Sequence, residues 1–168
     1  MSGSIWAAVA ILGFVTVQRL IELRIAALNN RRLMAAGARE FGAGHYPFMV
    51  TLHMMLLAVL WWWGPGRTIS SPLLIVFAFL QVGRVWVMRS LGDRWTTRVI
   101  VNPGARRIRR GPYRWLNHPN YLIVALEIAV LPLMFGLWRA AAIFSLLNAI
   151  ILAVRIRSEN EGLRALRG

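Results

Sequence analysis

The sequence predicts an all-α integral membrane protein of about five transmembrane helices, with the N-terminus outside, the C-terminus cytosolic and the last two helices forming a hairpin. Three observations predict it. The chain of 168 residues is 58% hydrophobic and only 15% charged, a composition too apolar for a soluble domain of that length. Apolar runs recur at approximately 4–25, 46–63, 71–88, 120–138 and 140–154. Each is close to the roughly 17–25 residues that cross a bilayer, the last being short. Finally, the 20 basic residues are all arginine and cluster in alternate connections.

Those clusters set the orientation. Arg31, Arg32 and Arg39 follow the first span. Arg89, Arg94, Arg98, Arg106, Arg107, Arg109, Arg110 and Arg114 follow the third, and Arg155, Arg157, Arg164 and Arg167 the fifth. The opposite connections carry only Arg67 and Arg139, so the positive-inside rule puts the arginine-rich side in the cytosol. The formal charge of +14 is thus mainly a topology signal, not a nucleic-acid footprint. With no cysteine, disulfides, thiolate metal sites and a cysteine nucleophile are excluded, and three scattered histidines give no metal site. The chain reads as a single membrane domain, 1–168. Residues 1–90 hold three spans, and 91–168 hold a polar connection, the hairpin and the tail.

The first span begins MSGSIWAAVAILGFV, without the basic start or the cleavage site of a signal peptide, and is read as retained. It carries Gln18 and Glu22; the second span carries His53, the third Gln81 and Arg84, the fourth Glu127 and the fifth Asn148. From the helical rise, these polar groups lie about 8–12 Å inside the arginine-rich ends of their spans, all in one leaflet. Ionisable groups at that depth cost on the order of 2.5–3.5 kcal/mol, so they are expected to face one another or a wet cavity. An Arg84–Glu127 ion pair between the third and fourth spans is expected, either as a structural bridge or, with Gln81, beside a substrate. The tryptophans at 61–63, Trp95 and Trp115 read as interfacial anchors.

The stretch GPYRWLNHPNY, residues 111–121, opens the fourth span. Gly111-Pro112 reads as a turn, Asn117 or His118 as the helix N-cap, and Pro119 as the first helical residue, where a missing N–H costs nothing. The free N–H groups of that helix start favour an anionic group beside the 89–119 connection. Pro132 is expected to kink the fourth span near Glu127.

The string GPYRWLNHPNYLIVALE, followed by RIRSENEGL, resembles the signature of the isoprenylcysteine carboxyl methyltransferase family, with weaker support from GAREFGAGHYPFMVTLH. The resemblance implies S-adenosylmethionine as cofactor, bound by the last two helices and the connection before them, and a lipophilic acceptor entering from the bilayer. It implies that His118, Pro119, Asn120, Tyr121 and Leu122 line the cofactor pocket, that Glu159 holds amino or hydroxyl groups of the cofactor, and that Arg155 orients Glu159. Asn117 and Asn160 depart from the family pattern; either the neighbouring Glu161 serves as the second acid or that acid is dispensable here. Arg98 or Arg114 is a candidate to hold an anionic acceptor, each equally able to contact lipid headgroups. The bacterial branch it is similar to includes enzymes that O-methylate alkylpyrones or alkylresorcinols; a prenylcysteine-like carboxylate is the other acceptor class. A membrane reductase using NADPH and a non-catalytic scaffold are the alternatives. The acceptor's identity and the oligomeric state are not determined by the sequence.

Overall fold

A computed structural model describes residues 2–101 and 108–165. Arg106, Arg107 and Arg167 of the predicted arginine clusters lie outside the described residues. Five helices carry the fold: α1 Ser2–Ala35, α2 Tyr46–Trp63, α3 Ser71–Leu91, α4 Pro119–Met134 and α5 Trp138–Ala165. Four regions, Ser4–Ala35, Ala43–Trp63, Ser71–Arg94 and Trp138–Gly162, are long and apolar enough to cross a membrane, and α4 is a shorter apolar helix. The protein is therefore an all-α membrane protein, as its composition predicts. Helices apolar on every side need lipid around them. Trp62, Phe79, Phe14 and Leu146 accordingly lie exposed on the outside of the bundle, while Leu12, Leu60, Phe77, Ile128, Met134 and Phe135 fill its centre.

The helix limits differ from the sequence expectation where polar ends continue an apolar span. Helix α1 has 34 residues, running past Arg31 and Arg32, and α5 has 28, running past Arg155 to the acidic tail. Helix α4 instead stops at Met134 after 16 residues. Pro132 falls in its last turn, so the missing N–H ends the helix where a mid-span kink was expected. The Pro132 carbonyl takes the N–H groups of Phe135 and Leu137, and Gly136 at φ 69° turns the chain into α5. Helices α4 and α5 form the predicted hairpin.

A feature absent from the predicted all-α layout is a short antiparallel ribbon, β1 Arg39–Phe41 with β2 Val99–Val101. It docks on the end of α5, so closely that a Cβ at Gly162 would lie 2.7 Å from the Phe41 ring. Gly111, at φ 59°, lets the turn before α4 approach α3: a Cβ there would collide with Ser90 Oγ and lie 3.1 Å from Trp86 Nε1. Arg110 Nε donates to the Ser90 carbonyl at 2.7 Å and fixes the same approach. On the other side, Asn29 Nδ2 donates to the Trp95 carbonyl at 2.8 Å, tying α1 to the chain after α3.

Candidate active site

The start of α4 is built as its sequence predicts. His118 is the N-cap residue, Pro119 the first helical residue, and the His118 carbonyl accepts from Tyr121 N and Leu122 N at 3.1 and 3.3 Å. No side chain caps the helix; Pro119 has no N–H and those of Tyr121 and Leu122 are on the His118 carbonyl, so the first turn offers a ligand the N–H of Asn120. One turn in, the Tyr121 hydroxyl donates to Glu159 Oε2 at 2.6 Å and accepts from Arg155 Nε at 3.0 Å. His118 stacks on the Tyr121 ring with 5.2 Å between centroids, and its Nδ1 lies 3.6 Å from Glu159 Oε2. Arg155 therefore reaches Glu159 through the tyrosine hydroxyl, where the sequence reading has it orienting the carboxylate itself.

Two cavities meet at this constellation. The larger, about 450 Å³, is lined by polar groups of the 89–119 connection together with Asn117, His118, Asn120, Tyr121, Arg155 and Glu159. The smaller, about 120 Å³, is largely apolar and lies between the helices, with Met49, His53, Leu57, Val124 and Leu152 on its walls. Thr96, Asn120, Tyr121 and Arg155 line both. Of the residues assigned to the cofactor by resemblance, Pro119 and Leu122 line neither cavity; Pro119 is buried and Leu122 is exposed on the helix exterior. Asn160 and Glu161 are both exposed.

Arg98 and Arg114 line the larger cavity and not the apolar one. Arg98 Nη1 is held by both Glu40 oxygens, at 2.9 and 3.0 Å, and its guanidinium lies 4.4 Å from the Tyr46 ring centroid. Arg114 is exposed at the rim, 6.0 Å from the Trp115 ring. Tyr113, which the sequence reading passes over inside its own motif, also lines the larger cavity. Burial, and then the negative charge of Glu159, push its phenol well above the ordinary range, so it stays an O–H donor.

The expected Arg84–Glu127 pair is present as part of a four-charge cluster. Arg84 binds Glu127 through two nitrogens, with Nε 2.8 Å from Oε1 and Nη2 on Oε2. Arg84 Nη1 reaches Glu22 at 3.2 Å, and Arg19 bridges Glu22 and Glu127 at 2.6 Å each. Gln81 Nε2 adds a bond to Glu127 Oε1 at 2.9 Å. Two cations and two anions cancel, which is how such charge is kept at this depth. Arg19, Glu22 and Arg84 border the apolar cavity, whereas Gln81 and Glu127 do not. Arg19 is absent from the sequence reading, although its position three residues before Glu22 is the spacing of a helical ion pair.

Residues 73–165, which carry α4, α5 and the connection between α3 and α4, match the isoprenylcysteine carboxyl methyltransferase (ICMT) family. The chain belongs to this family. The ICMT match covers every residue of the Arg155–Tyr121–Glu159–His118 constellation. An uncharacterised protein of Bacillus subtilis (strain 168), YpbQ, is 36% identical over 172 aligned residues, covering 95% of this chain and 96% of that protein. No solved structure matches the chain. Membership in the ICMT family makes this a membrane methyltransferase.

Proposed function

We propose that the protein transfers a methyl group from S-adenosylmethionine to an oxygen of a lipophilic acceptor, with the cofactor in the larger cavity and the acceptor in the apolar one. The observation that carries this reading is the shared wall of Thr96, Asn120, Tyr121 and Arg155, because a group transferred between two ligands needs cavities that touch. The residues present fit the cofactor's chemistry. Glu159, with its side chain 29% exposed, offers a carboxylate to an ammonium or to ribose hydroxyls. Asn117, Asn120 and Tyr113 offer neutral donors, and the α4 N-terminus with its arginines offers a place for a carboxylate. When bound, this cofactor supplies an electrophilic methyl group. The chain's task is to hold it in line with the acceptor oxygen and to exclude water.

The acceptor is read as lipidic because the apolar cavity reaches the bundle's outer surface. Leu23 and Met54 line it and are also 38% and 60% exposed, so a tail can remain in lipid while the head enters between α1 and α2. Each buried methylene of that tail is worth about 0.8 kcal/mol. The proposed acceptor is an alkylpyrone or alkylresorcinol, whose compact ring is the head for a cavity of about 120 Å³. The protein then sits in a bacterial cell membrane with its cofactor cavity open to the cytosol, on the arginine-rich side.

The test is calorimetric binding of S-adenosylhomocysteine to the detergent-purified protein. Wild type should bind, and Glu159→Ala should weaken binding tenfold or more, the loss of about 1.5–3 kcal/mol typical of a charge-assisted hydrogen bond. Unchanged affinity removes Glu159 from the site, and saturable NADPH binding in place of S-adenosylhomocysteine overturns the methyltransferase assignment of the larger cavity.

A further inference from the structure

His53 lines the apolar cavity on α2 and is not among the residues to which the family resemblance gives a role. Its Nδ1 lies 2.8 Å from the Met49 carbonyl, which can only accept, so Nδ1 carries the proton and Nε2 has the lone pair. Nε2 makes no hydrogen bond among the described residues and sits on the ring edge remote from its own helix. The residue that fixes this tautomer also reaches the reaction centre: Met49 Sδ is 2.9 Å from Arg155 Nη1, and Arg155 binds Tyr121 at the junction of the cavities. His53 is one helical turn along α2 from Met49, about 6 Å.

The charged and titratable groups around His53 are Arg19 on α1, Arg84 on α3 and Glu127 on α4, with Glu22 on α1, Tyr121 on α4 and Arg155 on α5 lining the same cavity. Arg19, Glu22, Arg84 and Glu127 are committed to one another and sum to zero, so the cation left on this cavity's wall is Arg155, at the junction with the larger cavity and already on the Tyr121 hydroxyl and Met49 Sδ. Glu22 is likewise no free base. Among the cavity's lining residues, His53 alone is a base whose ordinary pKa is near neutrality.

We infer that His53 Nε2 is the general base that takes the proton of the acceptor's hydroxyl, and that the acceptor is therefore a weakly acidic phenol-type lipid and not a carboxylate. The inference rests on the assignment of the two cavities above. In the step, the hydroxyl proton passes to Nε2 while an oxygen lone pair forms the new bond to the methyl carbon. The carbon–sulfur bond breaks and its electron pair stays on sulfur. The positive charge of the sulfonium thus ends on the imidazolium, whose Nδ1–H remains on the Met49 carbonyl, and the proton is later lost to water. A carboxylate acceptor is already ionised at neutral pH and would leave the imidazole without a task.

The experiment uses long-chain alkylphenols of graded ring acidity, with a long-chain carboxylate beside them, assayed for methyl transfer by wild type, His53→Gln and His53→Asn. Binding of S-adenosylhomocysteine to each variant, expected within about twofold of wild type, shows that the fold and cofactor cavity persist. The variants should lose about 100-fold or more on the least acidic phenol. That loss should shrink steadily as acceptor acidity rises, and the acidic limb of the wild-type kcat/KM profile should disappear. An equal loss on every acceptor, no loss at all, or turnover of the carboxylate alone would overturn the base assignment. Failure of wild type to bind S-adenosylhomocysteine would remove the underlying cavity assignment as well, so the two failures are distinguishable.

Discussion

Single residues show how the same motif serves packing and chemistry. Tyr121 joins Arg155 to Glu159 through one hydroxyl, which donates to the carboxylate and accepts from the guanidinium. Tyr121→Phe removes both bonds without changing the ring's stacking on His118. It should weaken S-adenosylhomocysteine binding by about tenfold through a misplaced Glu159, measured by calorimetry, and unchanged affinity would show that Glu159 is held by other means. The buried charge cluster obeys different arithmetic. Glu127→Gln leaves Arg19 and Arg84 short of an anion, and should cost about 3–5 kcal/mol in detergent unfolding. Arg84→Met with Glu127→Met leaves the Arg19–Glu22 pair intact and should recover most of that loss. A double variant as unstable as the single one would contradict the view that the cluster's charges mainly neutralise each other. Glu127 and Arg84 were legible from sequence because each interrupts an apolar run. Arg19 was not, because it stands beside Gln18 and Glu22 and reads as one polar patch until α1, α3 and α4 are brought together.

At the scale of elements, helix spans follow from hydropathy, but their ends follow from what the ends touch. The span at 46–63 was fully legible because Pro47 opens it and Gly64-Pro65 closes it. The extents of α1 and α5 were not, since a polar helix turn and a polar loop have the same hydropathy. The ribbon was invisible for a related reason: three residues per strand carry no periodicity, and Arg39–Phe41 pairs with Val99–Val101 across some sixty residues of chain. What signals it is Gly162, a glycine inside a helix, whose missing side chain admits the Phe41 ring. Gly162→Val should therefore lift the ribbon from α5. Amide hydrogen exchange at 39–41 and 99–101 should speed up while the centres of α3 and α4 stay protected. Unchanged exchange in the ribbon would show that its docking does not depend on this contact.

The whole molecule gains its shape from unequal helices. At about 1.5 Å per residue, α4 is only about 24 Å long, whereas α5 reaches about 42 Å and α1 about 51 Å. Helix α4 is shorter than the roughly 30 Å hydrocarbon core, and the connection before it, together with Arg155 and Glu159 of the long α5, lines the polar cavity beside the His118–Tyr121 motif. On the reading proposed above, the arginine-rich end that carries this cavity faces the cytosol. In this cysteine-free chain, single cysteines at Gly66 and at Gly104, the latter outside the described residues, should label from opposite sides of the membrane. Gly104 should label from the cytosol, and labelling of both from one face would contradict the five-helix crossing.

In the proposed function, a methyl group passes from a polar cofactor cavity to a lipid-facing acceptor cavity across Tyr121 and Arg155. The most direct measurement is transfer of label from methyl-labelled S-adenosylmethionine to alkylresorcinols and alkylpyrones that differ only in tail length, with the protein in lipid vesicles. O-methylated product is expected, with kcat/KM rising steeply as the tail lengthens. Equal rates for short and long tails, or label transfer to none of the lipids, would contradict it.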